Sequence, residues 1–115
     1  GPYEFDALDD YPDFCIPTAQ AVAKDATSIG IVLGGSGNGE QISANKIDGI
    51  RATEYYGGDP EIVKVSREHN NANILSLGAR FVTEEEAREV VTLFLDTKFS
   101  GDERHIRRIN KLDVE

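Results

Sequence analysis

A single cysteine, Cys15, rules out any disulfide within the chain. Basic residues are scarce as well: 12 Lys and Arg stand against 21 Asp and Glu, for a formal net charge of −9. A balance this acidic argues against a nucleic-acid partner, which calls for a basic face. It leaves room for a small anionic ligand, because local fields decide that. No apolar run approaches the roughly 20 residues of a membrane helix, and no signal-peptide pattern is visible. No membrane partner and a cytoplasmic location are therefore expected. The two histidines, His69 and His105, lack metal-ligand spacing, and with one cysteine no metal site is expected.

What the chain does contain fits one domain over residues 1–115. A domain this small buries only about two-thirds of its unfolded surface, so a partner subunit would add stability. Three apolar runs read as strands: Ser28–Leu33, Ile50–Tyr55 and Asn73–Leu77, with Arg80–Val82 a short fourth candidate. Helical patterns alternate with them. Pro12–Lys24 offers Phe14, Ala21 and Val22, with Asp10 or Asp13 near its start. Gly39–Ile47 follows a glycine-rich segment. Asp59-Pro60 opens a helix through Arg67 or His69. Thr83-Glu84-Glu85-Glu86 is a capping box, with Val90, Val91, Phe94 and Leu95 as the apolar face behind it. A last helix covers about Asp102–Leu112, with Ile106, Ile109 and Leu112 on one side. Alternation of this kind predicts an α/β three-layer sandwich on a parallel, Rossmann-like sheet, with ligands at the carboxyl ends of the strands.

The segment Leu33-Gly34-Gly35-Ser36-Gly37-Asn38-Gly39-Glu40 carries the strongest signal. Glycines let backbone amides approach a ligand with no Cβ in the way, and a helix N-terminus follows, which makes an anion site. Glu40-Gln41 stand where a P-loop needs Lys-Ser/Thr, so this is not a nucleotide motif. A flexible turn would not need so many glycines. Glu40, in the first helical turn, reads equally as an acid favoured by the helix dipole or as a general base. His69, in Arg67-Glu68-His69-Asn70-Asn71, sits at a helix end among amides, where substrate-binding groups occur. Arg104 and Arg108, one turn apart, form either a solvated basic face or a pair of guanidinium forks for phosphate. Beside a glycine anion loop, phosphate gains weight.

In this order, Gly30–Lys46 (GIVLGGSGNGEQISANK), Gly49-Ile50-Arg51-Ala52, Arg67–Arg80 (REHNNANILSLGAR), Phe99–Ile109 (FSGDERHIRRI) and Asp10-Tyr11-Pro12 resemble the type B ribose-5-phosphate isomerase family, which also holds galactose-6-phosphate isomerase subunits. The resemblance spans nearly the whole chain. It implies an aldose–ketose isomerase of the pentose phosphate pathway, working through an enediolate without metal or organic cofactor on a phosphorylated sugar. Glu40 matches the base of the branch that uses glutamate; the other branch has a cysteine at the position of Gly34, so Cys15 is expected only to pack. His69 matches the ring-opening residue, with Asn70 beside it. Arg80, Arg104 and Arg108 match phosphate ligands, and Tyr11 a substrate-lining residue. The amides around Gly35, Ser36, Gly37, Asn38, Gly39 and Glu40 are then aimed at the sugar oxygens. The family site lies between subunits, implying a homodimer or a tetramer.

One departure stands out. Family members open with a strand, an Ala-Asp-His-Ala-Gly loop, a helix and a second strand, none of which is present here. The chain is expected to be the N-terminally truncated, C-terminal portion of the family domain, with apolar sheet surface uncovered. Two alternatives follow: an inactive phosphosugar-binding or assembly module, and an isomerase of six-carbon sugar phosphates.

Overall fold

The parallel sheet follows from three short apolar strands, each entered from a helix that runs back along it. A computed structural model describes residues 1–114. The order is α1 (Pro12–Lys24), β1 (Gly30–Gly34), α2 (Asn38–Asn45), β2 (Ala52–Tyr55), α3 (Glu61–Asn70), β3 (Ile74–Gly78), α4 (Glu84–Asp96) and α5 (Glu103–Ile109). The strands are all parallel in the order β1-β3-β2, with Gly34 level with Gly78 and Tyr55 with Leu77. Every residue of β3 is buried, as a central strand covered on both faces requires.

Side-chain alternation along the strands splits the core in two. One face gathers Val32 and Ile74 with Cys15, Ala19 and Val22 of α1 and Ala44 of α2. The other gathers Leu75, Leu77 and Tyr55 with Val63 of α3 and Val90 and Phe94 of α4. Helices on both faces of the sheet make the three-layer sandwich. Thr83 caps α4 as a complete capping box: its Oγ1 accepts from the Glu86 amide at 3.1 Å, and the Glu86 carboxylate accepts from the Thr83 amide at 3.2 Å. Asp59 Oδ1 accepts from the Glu61 amide at 2.9 Å and so starts α3.

Several expectations need correcting. Arg80–Val82 is no strand; its first residues form a turn, with the Phe81 amide donating to the Gly78 carbonyl at 2.9 Å. Ala21 and Leu95 are exposed, because the buried stripes run through Cys15, Ala19 and Val22 in α1 and through Val90 and Phe94 in α4. No side chain caps α1, where Tyr11 holds the N-cap position. The last helix, α5, ends at Ile109 rather than Leu112; Ile106 in it and Leu112 beyond it are 41% and 58% exposed, and its buried residue is His105. The apolar period there is overridden by an aromatic contact with α3. β1 is an edge of the described sheet, and its Leu33 is 63% exposed.

Candidate active site

The glycine loop leaves the carboxyl end of β1 and becomes the N-terminus of α2. Its bend is at Gly37, whose φ of +81° and missing Cβ are both needed, since a Cβ there would lie 2.9 Å from the Leu77 carbonyl. Ser76, otherwise a buried hydroxyl in the central strand, donates to the Gly37 carbonyl at 2.7 Å. The β3 end is tied to the β1 end, with the Ala79 and Arg80 amides donating to the carbonyls of Gly34 and Gly35 at 2.8 and 3.0 Å. Ser36 Oγ accepts from the Asn38 amide at 3.2 Å. The next two amides, of Gly39 and Glu40, find no acceptor among the described residues. They lie in the first turn of a helix, the arrangement that favours an anion.

The glycines leave space that other side chains fill. A Cβ on Gly34 would fall inside the carboxyl group of Glu40, which is folded back over the strand end and is only 8% exposed. A Cβ on Gly39 would run into the ring of Tyr11. The Arg80 guanidinium lies 3.1 Å from where a Gly35 Cβ would be. Tyr11, Gly35–Glu40 and Arg80 are thus one group at the carboxyl edge of the sheet. A cleft of about 230 Å³ lined by Ser36, Asn38, Tyr56 and Phe81 opens on one side of the loop, and one of about 450 Å³ lined by Tyr11, Cys15 and Leu33 lies on the other. Burial, and then Glu40, push the Cys15 thiol up. A buried thiol held protonated in the α1 core is a packing group rather than a nucleophile.

The other site candidates lie elsewhere. Helix α3 runs antiparallel to the strands, so His69 and Asn70, at its end, sit at the amino edge of the sheet. Five-residue strands separate that edge from the glycine loop by about 16 Å. There His69 stacks on His105 of α5, ring centroids 4.3 Å apart and planes 19° from parallel. The link to α5 is fixed by Ser100, whose amide and hydroxyl both donate to the Glu68 carbonyl, at 3.2 and 2.7 Å. Arg104 and Arg108 ride on this helix, exposed, with Arg104 Nε 3.5 Å from Asp102 Oδ2. Burial first, then His69 and Arg104, hold the His105 imidazole below the ordinary histidine range. Within one chain, Glu40 and His69 belong to two separate clusters. No group of three or more potential metal ligands occurs among the described residues.

One residue at the loop escaped the sequence reading. Glu54 of β2 reaches the loop from below, where the Asn38 side-chain amide, turned with its nitrogen toward it, donates to Oε1 and Oε2 at 3.2 and 2.9 Å. Its only signal was an acid inside a run otherwise suited to a buried strand.

Comparison with known proteins gives one consistent result. The family model described as Ribose/Galactose Isomerase matches residues 1–112. Ribose-5-phosphate isomerase B of Mycolicibacterium paratuberculosis is 47% identical over 112 residues, which cover 97% of this chain and 69% of that protein. Among solved structures, type B ribose 5-phosphate isomerase of Trypanosoma cruzi superposes with a TM-score of 0.90 at 43% identity, covering 97% of this chain and 73% of that one. Ribose-5-phosphate isomerase B of Mycoplasma genitalium, solved with bound ribulose-5-phosphate, gives 0.90 at 42% identity, with 97% and 72% covered.

Proposed function

Since the chain belongs to the ribose/galactose isomerase family, we propose that it interconverts ribose 5-phosphate and ribulose 5-phosphate through an enediolate, with Glu40 as the base. The observation that carries the reading is the Glu40 carboxyl itself, buried over Gly34 at the end of a loop with free amides. Glu40 takes the proton from C2 of the open-chain aldose. The C–H electron pair forms the C1–C2 double bond, and the aldehyde oxygen becomes the oxyanion. Amides of Ser36–Glu40 donate to the oxygens where this charge develops. O1 takes up a proton and O2 gives one up as the C2 carbonyl forms, and Glu40 returns its proton to C1. Atoms and electrons balance with no cofactor.

Tyr11 lines the sugar and Arg80 approaches it over Gly35. His69, Asn70, Arg104 and Arg108 serve from the amino edge of a second copy, so the working unit is a homodimer in the cytoplasm. His69 opens the sugar ring, and Arg104 and Arg108 hold the phosphate as forks. The separation of the two clusters within one chain supports this division. In the Glu40→Gln variant, kcat falls by about 10²–10⁴-fold with KM little changed. Wild-type kcat in a folded Glu40→Gln protein would remove Glu40 from the role of base.

A further inference from the structure

Glu54 stands third in β2, level with Ser76 of the central strand. Its Oε1 lies 3.0 Å from where a Gly37 Cβ would be, against the left-handed bend of the loop. Both carboxylate oxygens accept from the Asn38 amide, the first residue of α2. Two adjacent strands therefore hold one turn from beneath, Ser76 by its hydroxyl and Glu54 by its carboxylate. No cation pairs with Glu54 among the described residues. We propose that Glu54 is a positioning residue for the isomerisation, anchoring the glycine loop through Asn38.

The electrostatics follow from the same placement. Burial pushes the Glu54 carboxyl up, and Glu40 pushes it further. The other titratable or charged groups facing the loop are Tyr11 at the N-cap of α1, Cys15 of α1, Tyr56 after β2 and Arg80 of the turn after β3. Arg80 lies over Gly35 and forms no ion pair with either glutamate.

The inference rests on Glu40 being the base, and the experiment keeps the two apart. kcat and KM are measured for wild type, Glu54→Ala, Glu54→Gln and Asn38→Ala, with thermal melts to establish folding. Glu54→Ala and Asn38→Ala each lose the anchor, so kcat/KM is expected to fall by about tenfold in both. Glu54→Gln keeps a hydrogen bond to Asn38, whose amide can turn, and is expected to stay within about twofold of wild type. Wild-type kcat/KM in folded Glu54→Ala overturns the inference, as does a Glu54→Gln variant as impaired as Glu54→Ala. Should Glu54→Ala not fold, Asn38→Ala decides: a fall in kcat/KM supports the inference, and a wild-type value overturns it. If Glu40→Gln retains wild-type kcat, the base assignment fails instead, whatever Glu54→Gln does.

Discussion

At the scale of single residues, positions 34 and 40 share one volume. The Glu40 carboxyl occupies the place a Gly34 side chain would take, so the site accommodates a group from one position or from the other. The family resemblance pointed to this choice through the alternative cysteine at 34. The overlap of the Glu40 carboxyl with a Gly34 Cβ is its steric basis. Gly34→Ala tests it. The atoms displaced are the end of a flexible side chain, so the melting temperature is expected to stay close to wild type. The carboxylate, turned away by more than about 1 Å, loses its approach to C2, and kcat falls by about 10²-fold. Full activity in the folded variant would mean that the observed Glu40 position does not matter. Glu54 shows where reading residues from sequence stops. One acid in a strand run carries no periodic signal, and its nearness to Asn38 depends on strand order and register, which are set by contacts far apart in the chain.

At the scale of elements, helices with local start signals were legible. Pro12–Lys24 agrees to the residue, and Thr83 caps as expected, because caps act over three or four positions; at α3 the N-cap is Pro60 rather than Asp59, whose Oδ1 accepts from the Glu61 amide one residue further on. Alternation with apolar strands was enough to indicate the parallel sandwich. The C-terminal helix was misread because an apolar period was assumed to point inward, while the buried contact is His105 on His69. That contact has a pH consequence. The folded state holds the His105 proton affinity below its unfolded value near 6.5. The folded chain then binds fewer protons than the unfolded one in mild acid. Its contribution is complete above about pH 6.5 and is lost as pH falls from there toward the lowered folded value. The melting temperature of the wild type should drop between about pH 7 and 5.5 more steeply than that of His105→Gln. Parallel curves would refute the assignment.

At the scale of the whole molecule, the sequence placed the glycine loop at the carboxyl edges of the strands and, by resemblance, implied a site shared between subunits, without saying which edge carries His69. In a parallel strand–helix–strand unit the helix ends at the opposite edge, and α3 delivers His69 there. Only the antiparallel run of helix against sheet does that. In the proposed dimer each site takes Glu40 from one chain and His69 from the other. Glu40→Gln and His69→Asn, each inactive alone, should therefore recover about a quarter of wild-type turnover when unfolded and refolded together in equal amounts, since half the dimers are mixed and each mixed dimer has one intact site. No recovery from co-refolded, dimeric protein would place both residues in one chain's site. In the proposed dimer the same separation would also set how the protein responds to dilution. A strand five residues long stands between the two clusters, so an isolated copy would carry two unlike fragments of the proposed site and no whole one. Below the concentration at which copies pair, the measured rate would fall with the square of the amount of protein present, and abundance itself would set the catalytic constant per chain.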